Sequence, residues 1–413
     1  MHWSHVLLLG VLCGLPGCAG TGAAGTPPGA VQPGIDVLLA DSAHLVRGRR
    51  VGLVTNQSGV DASGVSDVVR LRAAGVRLVA LFSPEHGFRG AAEPGAAVAS
   101  SVDSATGLPI YSLYGRTSAP TDEMLAGIDV LLVDLQDAGA RYYTYITTTV
   151  DVMNSAAGKG IPVVVLDRPN PIGGAVQGNV LEEAHISAVG RLRVPMRHGL
   201  TLGEMARLAQ ADLGIGGELV VVPVSGWSRR TTFDQTGLPF IPPSPNLRTL
   251  ESLFHYPGTC LFEGTNLSVG RGSEAPFEQV GAPWLDTAAV LADFRRAAPA
   301  GVQARGVTFT PRRPGDGKYA DTLLAGIRLE VTDRRGYDPA AAAVHLLAAI
   351  RGRHGAEFAW IPKHFDRLAG TTHLREAIDA GTEPGVIVRS WEPARQAFLE
   401  RSRGILVYPP LSP

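Results

Sequence analysis

The sequence predicts an α/β protein in which a Rossmann-like parallel sheet with helices on both faces is followed by a smaller α+β domain. Three observations carry this. Short runs rich in β-branched residues at 51–55, 76–82, 128–135, 161–167 and 218–224 are uniformly apolar, so neither face of the sheet they form meets water. Amphipathic stretches at 65–74, 120–126, 143–158 and 201–213 alternate with them, as crossovers between parallel strands require. Around residues 227–245 this alternation lapses into a run dense in proline and turn residues, which reads as the passage between two domains.

Taken in order, the chain opens with "MHWSHVLLLGVLCGLPGCAG", whose apolar core has the length of a signal h-region and is too short to span a bilayer. "LPGC" then looks like a bacterial lipobox with Cys18 as the lipidated residue, although the leader has no Lys or Arg and Pro16 is unusual there. A cleaved signal and a misassigned start codon are the alternatives. The expected location is therefore exported, periplasmic or extracytoplasmic, with the membrane reached through a lipid on Cys18. Residues 19–34 are small, Gly- and Pro-rich and uncharged, a tether rather than a core. The Rossmann-like domain is expected over 35–240 and the C-terminal domain over 241–413. Within the first, Thr201 and Glu204 have capping-box spacing, which explains Glu204 structurally. Within the second, helices are expected near 287–297, 339–351 and 391–400, and strands near 307–311 and 325–331.

Composition excludes several function classes. With 413 residues and 45% hydrophobic content the chain buries an ordinary core, and its formal net charge of -1 offers nucleic acid no electrostatic footprint. Lysine occurs only at Lys159, Lys318 and Lys363, so the basic residues are nearly all arginine. The chain has no GxxxxGK[ST], strand-coupled GxGxxG, HExxH, CxxC pair or GxSxG, so no cofactor and no metal is expected. With Cys13 in the leader and Cys18 lipidated, Cys260 is the remaining thiol and reads as a small core residue.

In open α/β sheets ligands bind beyond the carboxyl ends of the strands, where strand order reverses. Four polar, Gly- or Pro-rich segments stand at those ends: "NQSG" (56–59), "SPEHG" (83–87), "DLQDAGARYY" (134–143) and "DRPNP" (167–171). They supply Glu85, Asp134, Asp137 and Asp167 with Arg141 and Arg168, and the later "EGTNLSVGRGS" adds Glu263 and Arg271. Paired carboxylates are the tools of glycosidic cleavage, in which one acid protonates the leaving oxygen. Glu85 is the candidate acid, because the mouth of an apolar strand disfavours the charged form of a carboxyl. Its competing reading is an ion pair with Arg89 or His86. Asp134 is the candidate second carboxylate, whereas Asp137 fits an Asx turn. His86 either orients Glu85, shuttles a proton, binds a metal or is a hydrogen-bonded loop residue. Tyr142, Tyr143 and Tyr145 either stack on a sugar or pack in the core. The Gly-rich loop 263–273 either approaches a ligand or is a tight interdomain hairpin.

"LVTNQSGVD", "LFSPEHGFRG", "IYSLYG", "DLQDAGARYYTYITT", "LDRPNPIGG", "RHGLTLGEMA", "PPSPN" and "CLFEGTNLSVGRGSEAPFEQVGAPW" follow one another in this order. Together they resemble the NamZ-type exo-β-N-acetylmuramidases, from about residue 51 to the C-terminus. The resemblance implies a glycosidase acting on peptidoglycan fragments and muropeptides, releasing N-acetylmuramic acid from non-reducing ends at a cleft between two domains. Carried over by motif, it places the catalytic glutamate on Glu85. Cleft residues fall on Asn56, Asp134, Arg141, Tyr143, Arg168, Asn170, His198, Glu263, Asn266 and Arg271. The lactyl carboxylate of the sugar asks for a cation, for which Arg141, Arg168 and Arg271 are the candidates. Its 2-acetamido group offers an internal nucleophile, with Asp134 then positioning it. A peptidoglycan-binding lipoprotein without catalysis is the alternative.

Overall fold

A computed structural model describes residues 30–411, so the leader, Cys18 and most of the expected tether lie outside the described residues. Residues 31–34, expected to close that tether, instead belong to the fold. Val31 is buried with Trp227 and Tyr408, and Gln32 exchanges backbone hydrogen bonds with Ser225. Small size and proline allow this: a Cβ at Gly34 would collide with the Leu166–Asp167 backbone, so only glycine lets the chain pass there.

The first half contributes β1 (Arg50–Thr55), β2 (Arg77–Ser83), the short β3 (Ser101–Val102), β4 (Pro109–Ser112), β5 (Val130–Asp134) and β6 (Val163–Leu166). A small antiparallel pair, β7 (Gln177–Val180) and β8 (Pro195–Arg197), precedes β9 (Leu219–Val222). The large sheet has seven strands in the order β3-β4-β2-β1-β5-β6-β9. Pairing is parallel except at the β3–β4 edge. Alternate side chains enter two separate cores, as a pleated strand buried on both faces requires. Val51, Leu53, Val130, Leu132 and Val164 pack on one side, under α1 (Gly34–Asp41) and α2 (Asp67–Ala73). Val54, Leu131, Val133, Val163 and Val165 pack on the other. After the short α3 (Asp122–Leu125), α4 (Tyr145–Ala157) and α5 (Leu202–Leu213) cover that second face. The capping box at Thr201 and Glu204 starts α5, and Gly214 in the left-handed region ends it.

The second core runs without a break into the C-terminal half, through Leu253, Phe254, Phe262, Ile327, Leu347 and Phe365. There α6 (Leu250–Thr259), β10 (Gln279–Ala282), α7 (Thr287–Ala297), β11 (Val302–Phe309), β12 (Leu324–Val331) and α8 (Pro339–Arg353) follow in order. The strands form an antiparallel sheet β10-β12-β11. Short helices α9 (Pro362–Ala369), α10 (His373–Asp379) and α11 (Pro384–Arg389) lead to α12 (Glu392–Ser402). The chain then returns to the first sheet: Tyr408 donates its hydroxyl to Asp167 at 2.7 Å, and Glu204 accepts from Val407 N and Tyr408 N.

β1 lies between β2 and β5, so its successors leave in opposite directions and open a crevice past the β1 and β5 ends. Thr55 and Asp134 sit opposite each other at that point.

Candidate active site

The four loop ends converge. Gln136, beyond β5, donates its backbone N–H to Ser58 Oγ beyond β1 at 3.1 Å, and its side chain reaches Pro169 O beyond β6 at 2.9 Å. Asn56 is held by Ser58 and donates to the Tyr145 hydroxyl at 2.6 Å.

Glu85 lies two residues beyond the end of β2 and is buried. The chain turns sharply behind it: His86 and Gly87 both have positive φ, 70° and 76°, a conformation that strains a non-glycine residue and is found at functional turns. Arg89 is exposed, and the Glu85 carboxylate is held by other groups. Oε1 accepts from Gly95 N at 3.0 Å, and Oε2 lies 2.6 Å from Thr144 Oγ1. Thr144 is the N-cap of α4, yet its side chain makes no capping bond and is turned to Glu85 instead. The positive end of α4 therefore faces this carboxyl group. Tyr114 is half-buried beside it, and its phenol is pushed up to about 12, by burial first and by the Glu85 charge second.

His86 places Nδ1 2.8 Å from Ala92 O. Burial lowers its pKa; the Ala92 bond and the Glu85 charge oppose that, and Arg271 reinforces it. Arg271 comes from the C-terminal half, so a charge of that half is felt at this histidine. Glu263 Oε1 accepts from Arg271 Nε at 2.7 Å. Burial works against the Arg271 charge and Glu263 more than offsets it, which raises the guanidinium above its ordinary value. Its buried Nη1 has no protein partner. Gly264 follows Glu263 where a Cβ would overlap the Phe365 backbone, so this loop can run so close to α9 only with glycine there.

Several expected ligands are instead internal struts. Arg141, expected at a substrate carboxylate, is 2% exposed and donates to four carbonyls, of Asn179, Val194, Leu368 and Ala369. Arg168, expected in the same role, is paired with Asp134, donates to Val60 O at 2.7 Å and lies 3.8 Å from Asp67. Asp134, expected as the second carboxylate, is fully buried beneath that arginine. Burial and the Asp134 charge push Asp67 well up, and the Arg168 charge pulls against them. Tyr143 and Tyr145 both donate to Pro243 O, at 2.8 and 2.9 Å, and Tyr142 to Pro257 O at 3.0 Å; core packing, not sugar stacking, occupies these rings.

Asn170 and Asn266 are likewise engaged at both ends. Asn170 bonds Leu200 O and Ile172 N, and Asn266 bonds Glu357 O and Ala359 N. His198 accepts from Leu200 N and stands 3.4 Å from Asp137, which makes the expected Asx turn with Gly139 N. Asp167 accepts from Thr201, Gly203 and Tyr408. Cys260 is buried, which raises its thiol. Among the described residues no group of three His, Cys, Asp or Glu side chains is placed to hold a metal ion.

The candidate site thus consists of Glu85, His86, Tyr114 and Thr144, with the Glu263–Arg271 pair near enough for the Arg271 charge to be felt at His86. Cavities of about 650 and 430 Å³ open elsewhere, against α12 and against α10 and α11, and neither contains these groups.

Family models described as exo-beta-N-acetylmuramidase NamZ, N-terminal and C-terminal, match residues 51–251 and 254–408. The chain belongs to the NamZ family. A relative named peptidoglycan beta-N-acetylmuramidase NamZ, from Bacillus subtilis, is 42% identical over 381 residues, 92% of this chain and 91% of the relative. Two solved proteins from Bacteroides fragilis, both titled DUF1343 family proteins, share the NamZ fold seen here. One has a TM-score of 0.84 at 33% identity, covering 93% of this chain and all of the other. The second has a TM-score of 0.76 at 30% identity, covering 92% of this chain and 99% of the other.

Thr144, Tyr114 and Gly95 were not legible as parts of this NamZ site. The available signal was Thr144 at a helix start with no acidic residue three positions on, an N-cap free to bond elsewhere.

Proposed function

We infer that the chain is an exo-acting glycosidase that releases N-acetylmuramic acid from the non-reducing ends of peptidoglycan fragments, in cell-wall turnover. Kinship to the Bacillus subtilis muramidase over nine-tenths of both chains carries this reading. The site chemistry agrees with it. Glu85 is the general acid: Oε1 is fixed by an N–H that can only donate, while Oε2 meets a hydroxyl that can donate to a carboxylate or accept from a carboxyl. The mobile proton therefore belongs on Oε2, from which it passes to the glycosidic oxygen as the bond to the anomeric carbon breaks. Arg271 is the cation assigned to the lactyl carboxylate, the group that separates muramic acid from glucosamine. With Asp134 sealed under Arg168, the 2-acetamido oxygen of the sugar is the group nearest the anomeric carbon by covalent connection, and it supplies the nucleophile.

Export and a lipid anchor at Cys18 belong to the same proposal, supported by the leader and the lipobox-like "LPGC". The test is turnover of a chromogenic N-acetylmuramic acid β-glycoside by the wild-type chain and by Glu85→Gln. Absence of wild-type turnover removes the activity, and equal turnover by both removes Glu85 from the acid role.

A further inference from the structure

The loop between β11 and β12 reaches the site from the side opposite α9. It carries three non-glycine residues with positive φ, Arg313, Tyr319 and Asp321, and so holds an unfavourable backbone conformation in place. It also touches both halves of the molecule. Arg312 N donates to Gly272 O at 2.8 Å, and a Cβ at Gly315 would lie 3.0 Å from the Glu93 carboxylate, in the loop that follows Glu85.

Lys318 sits within this strained loop, one of three lysines in a chain whose other basic residues are arginine. Glu263 lies in a short 3-10 turn (Cys260–Gly264) from which the chain emerges extended at Thr265, and the two edges of this segment are satisfied differently. On one edge Asn266 N donates to Ala359 O at 2.9 Å and Gly264 O accepts from Ile361 N at 2.7 Å, an antiparallel bridge to the segment before α9. From Thr265 onward the alternate residues of the extended chain face the other way. There Thr265 N turns back to Phe262 O and Leu267 N to Thr265 Oγ1. The carbonyls of Glu263, Thr265 and Leu267 all converge on the Lys318 ammonium, at 3.0, 2.7 and 3.0 Å. One tetrahedral nitrogen thus replaces a missing neighbouring strand. Its three N–H bonds match three acceptors around a single point, a geometry that a planar guanidinium does not offer. Burial lowers this ammonium, and the Asp316 and Glu263 charges counter that.

We propose that Lys318 is the positioning residue of the substrate-recognition loop: by fixing the carbonyls at 263, 265 and 267 it sets the Glu263–Arg271 pair at the height where Arg271 meets the lactyl carboxylate. Lys318 itself touches no substrate. This rests on the muramidase reading given above.

The experiment compares Lys318→Met and Lys318→Arg with the wild type, using the chromogenic muramide for kinetics and free N-acetylmuramic acid and N-acetylglucosamine for calorimetric binding. Both variants are expected to raise KM and the Kd for N-acetylmuramic acid about tenfold, with kcat and the affinity for N-acetylglucosamine little changed, and arginine is expected not to rescue. KM does not depend on the folded fraction, so partial unfolding leaves the readout intact. Wild-type KM in either variant, equal loss of affinity for both sugars, or failure of both variants to fold would each overturn the positioning role. An inactive wild type sinks the muramidase reading instead, and is told apart from these outcomes because it needs no variant.

Discussion

Thr144 Oγ1 lies 2.6 Å from Glu85 Oε2, although Thr144 occupies a helix N-cap where its hydroxyl would ordinarily bond the helix backbone. The helix gives up a cap so that a carboxyl group beyond a neighbouring strand can be held. Removing the hydroxyl should therefore leave the helix intact and disturb the acid. Thr144→Val is expected to lower kcat about tenfold with KM unchanged, whereas Glu85→Gln lowers it by about 10² to 10⁴. Thr144→Ser should retain most activity. A Thr144→Val enzyme with wild-type kcat would detach the hydroxyl from catalysis.

Arg271 is the cation of the site with an unpartnered nitrogen, and its recognition of the lactyl group predicts a loss specific to muramic acid. Arg271→Lys keeps the charge but not the fork, and is expected to raise KM for the muramide by about 10- to 100-fold. Inhibition constants for N-acetylmuramic acid and N-acetylglucosamine, measured side by side, should converge in this variant. If the selectivity stays at its wild-type value, another group reads the carboxylate.

Arg141 predicts a different phenotype. Its guanidinium gathers four backbone carbonyls from two separate regions of the chain, so Arg141→Met leaves buried acceptors without donors. A loss on the order of 3 kcal/mol in urea unfolding is expected, with KM of the surviving enzyme unchanged. A rise in KM at undiminished stability would return Arg141 to the substrate.

The Arg168–Asp134 pair is sealed, and breaking one side alone strands a charge. Arg168→Met should cost about 3 to 5 kcal/mol, and adding Asp134→Asn should recover part of that. Additive losses from urea midpoints would deny the coupling.

Asp167 supplies the pH dependence. Burial raises it from 3.8 to about 6, against the pull of its bonds to Thr201, Tyr408 and Gly203. The native state therefore holds a proton that the unfolded chain has already released. The stabilisation is complete below about pH 4 and disappears as pH rises through about 6. Asparagine resembles the protonated acid, with its oxygen toward the two backbone N–H groups and its amide toward the two hydroxyls. Asp167→Asn should flatten the stability profile between pH 4.5 and 7.5, an effect on the order of 2 kcal/mol by denaturant titration. Parallel profiles for the two proteins would rule Asp167 out.

The sheet was legible because its strands, buried on both faces, form uninterrupted apolar runs, and all five expected strands stand within two residues of their places. Strands β7 and β8 escaped because "QGNV" and "PMR" carry no period, and α9 to α11 because each is too short to show one. The convergence of the loop ends followed from the switch-point rule alone. The internal arginines did not, since nothing local distinguishes a guanidinium that gathers carbonyls from one that binds a ligand. The acceptors of Arg141 lie 38, 53, 227 and 228 positions away in the chain. Lys318 was visible as a rarity, but its purpose depended on the direction of three carbonyls.

The bond from Tyr408 to Asp167 also sets an order of events. A ribosome, or a translocation pore passing the chain N-terminus first, delivers residue 167 some 241 positions before residue 408. Until then Asp167 and Glu204 lack the last of their partners. The first sheet can collapse early, but maturation of that half waits until residue 408 has been delivered. A chain stalled or clipped short of Tyr408 would carry every group of the active site on an unfinished scaffold.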